Sequence, residues 1–271
     1  MKAGQMLKSR HFWKSILAEF LAVLLLIVIG CSSCKDEYLK PNTVRISLGF
    51  GFTIAILVGA ISHISGGHLN PAVSLGLFIA RRCEFLRFIF YSIAQVAGAI
   101  VGAAILKGIH GKVIGTTEPS VSSAQGFAVE LIITFVLVFV VLACTDSKRS
   151  DSPGPVPLIV GLTIISCHLF AVDVTGAAMN PARAIGPALI ASKWGGHWIY
   201  WAGSLLGGVL SAIMYEYIFA SDSSVQKLRA AIPLKKKAAI EPKESDEKSK
   251  EGNNENLEEN KVELQAVNIE E

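Results

Sequence analysis

The sequence predicts an all-α membrane protein: six transmembrane helices plus two re-entrant half-helices, arranged as an inverted three-helix repeat. Three observations predict it. Six long stretches are nearly free of charge. The chain is 51% hydrophobic and only 17% charged over 271 residues, with a mean hydropathy of +0.48, whereas a soluble domain carries about a quarter charged residues. Two short Asn-Pro-Ala segments, SGGHLNPAVSLG from residue 65 and TGAAMNPARAIG from residue 175, interrupt the apolar pattern 110 residues apart.

The apolar stretches cover 15–34, 46–62, 88–106, 124–144, 153–172 and 198–215. Each approaches the ~20 residues that a helix needs to cross the hydrocarbon core. Backbone groups in lipid must be satisfied within the segment, which selects helices. The first stretch follows Lys2, Lys8, Arg10 and Lys14 and superficially resembles a signal peptide. Its small residues stand beside Cys31 and Cys34 rather than in an A-x-A site, so it reads as a retained span. With the N-terminus inside, inner segments hold those four cations, then Arg81, Arg82 and Arg87, then Lys148 and Arg149, then the cluster Lys227 to Lys237. The outer segments hold Lys35, Lys40, Arg45, Lys107, Lys112 and Lys193. This excess inside places both termini in the cytoplasm. The channel domain is read as 1–222, with repeat halves at 12–107 and 124–220, and 223–271 as a cytoplasmic basic-then-acidic disordered tail.

The repeat is legible in detail. Glu19 opens one apolar span 51 residues before Asn70, and Glu130 opens another 50 residues before Asn180. Three spans separate the two starts, so the copies enter the membrane from opposite faces, an architecture of proteins that carry or conduct solutes. Each box is too short to span. Asn is a favoured helix cap and Pro is tolerated in the first turn, so each box reads as extended chain followed by a half-helix. Two half-helices entering from opposite sides point their positive dipole ends at one place and repel cations there. The approaches Gly66-Gly67-His68-Leu69 and Gly176-Ala177-Ala178-Met179 cannot bond within a helix, and their carbonyls need a water-filled lumen or other partners. Acceptors along a narrow path, with the amides of Asn70 and Asn180 at its centre, suit small neutral hydrogen-bonding molecules.

Two NPA boxes (Asn70-Pro71-Ala72 and Asn180-Pro181-Ala182), their HISGGHLNPAV and TGAAMNPAR contexts and the paired glutamates resemble the aquaporins over residues 12 to 220. The resemblance implies a homotetramer in the plasma membrane, with regulated vesicles as a second location, in which every subunit conducts passively without cofactor. It implies that Glu19 and Glu130 hold the interrupted loops by hydrogen bonds. It also implies a selectivity filter of Phe50, His168, Ala177 and Arg183, with bulk from Phe50 and donors from His168 and Arg183. Ile54 and Ile164, one turn away on the same helix faces, are expected in the apolar wall below it. Glycerol-conducting relatives usually carry an Asp after the Arg and smaller residues in place of the His, whereas here Ala184 follows Arg183. Tyr200-Trp201 and Ala188 also match the water-selective pattern. Ala177 replaces the Cys that makes many members mercury-sensitive, as in the mercury-insensitive branch. Ala184 and Ile185 stand where Ser and Phe are usual, and Ser204 where Pro is common, which bears on the width of the ring.

The remaining candidates are blander. His63 and His68 read as loop-packing residues, with the His68 carbonyl a candidate for the lumen. Gln95 and the Gly-rich third span read as packing devices. The five cysteines point to no redox chemistry, no metal-ligand spacing appears, and Ser150 in SKRSDS is a candidate phosphosite. Water is the expected permeant and the bilayer the expected partner; no nucleic-acid interaction, cofactor or enzymatic activity is indicated, and the tail names no partner. The competing classes are a channel that also passes glycerol or other small neutral solutes, an energised secondary transporter, and a membrane-junction protein. Transporters keep ionisable residues for coupling, and only the two glutamates and Arg183 are available here.

Overall fold

The computed structural model describes residues 3–35, 42–220 and 222–223. Lys2, Lys40, the Lys227 to Lys237 cluster and the tail from residue 224 lie outside the described residues. A one-turn helix α1 (Ala3–Leu7) precedes α2 (Arg10–Leu25), which continues through a wider turn, Leu26–Gly30, and a tight turn, Cys31–Cys34. There follow α3 (Thr43–Ser65), the short α4 (Pro71–Ile79), α5 (Phe85–His110), α6 (Ser123–Cys144), α7 (Val156–Thr175), the short α8 (Pro181–Ala191) and α9 (Trp198–Met214), which runs on through Tyr215–Phe219. Six of these, 10–34, 43–65, 85–110, 123–144, 156–175 and 198–219, are long and apolar enough to cross a membrane.

The helices begin and stop for local reasons. Asn42 caps α3 by accepting from Arg45 N at 2.9 Å, and Ser122 and Gln125 form a reciprocal capping box on α6. α3, α5 and α7 end on left-handed glycines, Gly66, Gly111 and Gly176. Several spans outrun their charge-free stretches. α5 reaches from Phe85 to His110 because Arg87 and Lys107 sit near its ends, where long cationic side chains extend toward the polar boundary. The stretch expected to start at 153 begins helical structure only at Val156. Pro153, Gly154 and Pro155 precede it, and each residue before a proline disfavours the helical region.

The packing repeats itself across the two halves. α2 packs on α5 as α6 packs on α9; α5 carries α8 as α9 carries α4; α2 meets α3 as α6 meets α7; and α3 crosses α7 at the centre. That central crossing is close because it has glycine on both sides. A Cβ on Gly161 would lie 2.6 Å from Gly51 O, and one on Gly51 would lie 2.7 Å from Gly161 O. Helix association in lipid depends on such approach, since burying apolar surface gives no drive there. Gly161→Ala is accordingly expected to destabilise the fold by about 1–3 kcal/mol, seen as a lower melting temperature in detergent; an unchanged temperature would show that the crossing relaxes.

Candidate functional site

Both interrupted segments follow the same backbone path. Gly66, Gly67 and Leu69 have φ of 96°, 69° and 53°, and Gly176, Ala177 and Met179 have 81°, 48° and 51°. Each left-handed position in the first half therefore has its counterpart 110 residues on. All six angles fall within the two Asn-Pro approaches, and three belong to side chains with a Cβ, where such angles cost about 1 kcal/mol or more and persist only if the surroundings impose them. The chain then turns into helix at each box. Asn70 Oδ1 accepts from Ala72 N at 2.8 Å, and Asn180 Oδ1 accepts from Ala182 N at 3.0 Å and Arg183 N at 3.3 Å. Pro71 and Pro181 occupy the first helical positions.

Buried carboxylates impose the path. Glu19 Oε1 accepts from Ser65 Oγ at 2.6 Å and His68 N at 3.0 Å, while Oε2 accepts from Leu69 N at 2.7 Å and Gln95 Nε2 at 2.9 Å. Glu130 repeats the arrangement: Oε1 accepts from Thr175 Oγ1 at 2.6 Å and Ala178 N at 3.0 Å, and Oε2 from Met179 N at 2.8 Å. Both glutamates are wholly buried. The N–H groups that a broken helix orphans are thus collected by one carboxylate on each side, in charge-assisted bonds.

The two halves then clasp each other. Asn70 Nδ2 donates to Met179 O at 2.7 Å, and Asn180 Nδ2 donates to Leu69 O at 2.8 Å. Each carboxamide keeps a second N–H without a partner among the described residues, and both asparagines line one chamber. Leu69 and Met179, expected to offer lumen carbonyls, each have one lone pair engaged by the opposite asparagine.

That chamber runs from Phe50, His168 and Arg183, past both asparagines, to Val141, Thr145 and Val156. Gly66, Gly67, His68, Leu69, Ala178, Met179, Ile54 and Ile164 all line it. Beyond Arg183 lies a second cavity, a vestibule bordered by Cys34, Lys35, Lys112, Gly115, Glu118 and Gly176. Arg183 lines both. Ala177 is wholly buried and lines neither, although its neighbours Gly176 and Ala178 do.

At the divide, the Phe50 and His168 rings stack with centroids 4.9 Å apart, and the Arg183 guanidinium carbon lies 4.9 Å from the Phe50 centroid. Arg183 Nη1 donates to Gly115 O at 2.5 Å, and Arg183 Nε is buried without a protein partner. His168 departs from its expected role as a donor. Its Nδ1 lies 3.0 Å from Ile164 O, and a carbonyl only accepts, so Nδ1 carries the hydrogen. In the neutral ring Nε2 is then an acceptor, and it too is buried without a protein partner. The constriction therefore pairs an unengaged cationic donor with an unengaged imidazole acceptor beside an aromatic face.

Several supporting roles escaped the sequence reading. Tyr91 and Tyr200, both wholly buried, donate their hydroxyls to the last helical carbonyls before each break, Ser65 O at 2.9 Å and Thr175 O at 2.7 Å. Gln95, read as a packing device, bridges Glu19 to Ser74 Oγ at 3.2 Å, and Ser74 in turn meets His68 Nδ1 at 2.9 Å. The second half has Ser204 and Ala184 at the corresponding places, so this network is confined to the first half. A glutamine one helical turn after a tyrosine was the available signal, hidden by the apolar surroundings. His63, expected to pack a loop, is instead exposed on α3. Cys167 is buried, with Sγ 3.7 Å from Ile133 O. Ser150 is exposed, but Arg149 beside it is paired with Asp151 at 2.5 Å, which holds that carboxyl below the usual range. No cluster of three metal-ligating side chains occurs among the described residues.

Known proteins share this arrangement. The sequence profile of the major intrinsic protein family matches residues 6–215. Aquaporin-4 of Mus musculus is 42% identical over 230 residues, 81% of this chain and 71% of the relative. Aquaporin-1 of Mus musculus is 40% identical over 232 residues, 80% of this chain and 86% of the relative. Among solved structures, the aquaglyceroporin from Plasmodium falciparum superposes with a TM-score of 0.68 at 25% identity, covering 76% of this chain and 96% of that one. With the family profile spanning both boxes, both glutamates and the constriction, the chain belongs to the major intrinsic protein family, the aquaporins.

Proposed function

We propose that this aquaporin conducts water passively in single file down osmotic gradients and excludes protons and ions. The observation that carries the reading is the constriction, where the Phe50 ring meets both His168 and Arg183 beside a path with one free acceptor and one free donor. Water, which both donates and accepts, can serve either group. At the chamber's centre the amides of Asn70 and Asn180 donate to a passing oxygen. There, two helix N-termini disfavour cations. Between these two points Ile54 and Ile164 offer no polar partner, so the permeant exchanges hydrogen bonds only at fixed places.

The filter residues are Phe50, His168 and Arg183, with Ala177 behind them; Glu19 and Glu130 hold the loops; and the carbonyls of residues 66–69, 176, 178 and 179 supply acceptors. The assembly is a homotetramer in the plasma membrane with both termini cytoplasmic. Residues 1–222 form the channel, 223–271 the tail, and Ser150 is a site for phosphorylation. Exposed apolar side chains on several spans, among them Leu17, Ile56, Ile93 and Leu162, supply the faces that lipid and neighbouring subunits cover.

Stopped-flow shrinkage of proteoliposomes, with water and glycerol measured side by side, tests the reading. Fast water with glycerol at the level of empty vesicles supports it. Fast movement of both would transfer the chain to the glycerol-passing class, and neither moving would refute channel function.

A further inference from the structure

The end of the chamber opposite the constriction is walled by Val141, Thr145 and Val156. Val141 and Thr145 belong to the last turn of α6 and its cap, and a helix end leaves its last carbonyls without a donor from its own helix. Val141 O accepts from Thr145 N at 3.0 Å and from Thr145 Oγ1 at 2.7 Å. The next carbonyl, Leu142 O, accepts from Arg82 Nη1 at 2.7 Å, and the same nitrogen lies 3.4 Å from Thr145 Oγ1. Arg82 reaches in from another element, the turn that closes α4. Its Nη2 lies 3.1 Å from Glu216 Oε2 on the wider turn that follows α9, and its guanidinium carbon lies 5.5 Å from the Tyr215 ring centroid. Tyr215 is buried and donates its hydroxyl at 3.0 Å to Oδ2 of Asp146, the residue after Thr145. One side chain thus ties together the ends of α4, α6 and α9.

A strained turn aims Arg82 there. Arg82 N and Cys83 N both donate to Leu77 O, at 2.8 Å and 3.1 Å, and Arg81 before them has φ of 59°. A side chain with a Cβ holds such an angle only where the surroundings impose it, and such angles gather at functional places. The other half repeats the turn but not the grip. Ser192 has φ of 56° and Lys193 N donates to Ala188 O at 3.0 Å, yet the Lys193 side chain ends on an exposed ion pair with Glu118. Each end of the path therefore has one arginine on one backbone carbonyl, Arg183 on Gly115 O at the constriction and Arg82 on Leu142 O at the far mouth. We propose that Arg82 is a positioning residue for water passage, which sets the rate by holding Val141 and Thr145 clear of the path. The proposal rests on the water-channel reading. A file of molecules moves only while every point of its path is open. A last turn of α6 released from Arg82 takes several arrangements, and those that bring Val141 or Thr145 inward stop the file.

The test uses the full chain in proteoliposomes, with the flow through empty vesicles subtracted. Arg82→Gln should lower water permeability per reconstituted channel about threefold or more, within the range that a residue outside the path commands. It should also raise the activation energy of the channel flow, a slope that does not depend on how many channels are folded, and leave glycerol excluded. Arg82→Lys, whose one ammonium cannot serve Leu142 O and Glu216 through separate nitrogens, should fall between, and it carries the test if Arg82→Gln does not fold. Lys148→Gln removes a neighbouring cation whose side chain pairs with Asp222, and it should change neither rate nor slope. A wild-type slope in both Arg82 variants, or an equal change in Lys148→Gln, overturns the proposal. A wild type that passes no water speaks against the water-channel reading instead. Hydrogen exchange at the Thr145 amide then decides the grip. A rate about tenfold faster in Arg82→Gln, as loss of one charge-assisted bond allows, supports it, and an unchanged rate removes it.

Discussion

Replacing Glu130 with Ala is expected to abolish water conduction by removing the folded channel rather than by obstructing it. Thr175 Oγ1, Ala178 N and Met179 N all donate to this carboxylate. The site is wholly buried, so water cannot readily substitute. Each orphaned buried donor costs about 1–3 kcal/mol, against a marginal total stability for any fold. Gln is not a neutral replacement. Its single carbonyl oxygen can serve Thr175 and Ala178, but its NH2 then faces Met179 N–H, donor against donor. Both variants should therefore give little folded, monodisperse protein in size-exclusion chromatography, with Glu130→Ala the more severe. Glu130→Ala protein of normal yield and normal permeability would show that Glu130 is a bystander.

Arg183→Val should act oppositely, leaving the fold and losing discrimination. The side chain spans the boundary between the two cavities, covers the Phe50 face and draws Gly115 in at 2.5 Å. Valine retains the backbone N–H that Asn180 Oδ1 accepts, so the half-helix cap survives. What disappears is a fixed positive charge and the volume of a guanidinium at the boundary between the two cavities, and a charge held inside a membrane is functional by default. Water permeability should stay within about twofold of wild type while urea and glycerol rise well above empty vesicles, the reverse of a simple packing defect. Unchanged exclusion of both solutes in vesicles that still pass water would remove Arg183 from the filter.

The sequence made the spans, the repeat and the boxes visible because each is a local pattern: a charge-free run, a glutamate opening a span, an Asn before a Pro. The same locality explains what stayed hidden. Tyr91 and Tyr200 lie within ordinary apolar helices, and their equivalence shows only once both hydroxyls are seen on the carbonyls before the two breaks. Gln95 looks like a lone polar residue until the fold brings Glu19 and Ser74 to it from 76 and 21 residues away. Gly115 carries no signal as an anchor for Arg183, because the contact uses its carbonyl, which every residue possesses. The role of His168 depended on a ring orientation that Ile164 O decides. Helix ends were misplaced by a few residues wherever cations extended a span or prolines delayed one.

The reciprocal clasp of the asparagines also bears on how the chain is made. Asn70 Nδ2 bonds Met179 O across 109 residues, and Asn180 Nδ2 bonds Leu69 O across 111. A ribosome adding about 5–20 residues per second needs roughly 5–20 s to deliver the second partner after the first has emerged. Throughout that interval the earlier half-helix has its carboxylate, Glu19, but not its opposite number. A nascent first half is therefore complete in hydrogen bonding on one side and open on the other. The insertion machinery must shelter that open side until the second half arrives, which makes late maturation of the pore, rather than insertion of spans, the step most exposed to quality control.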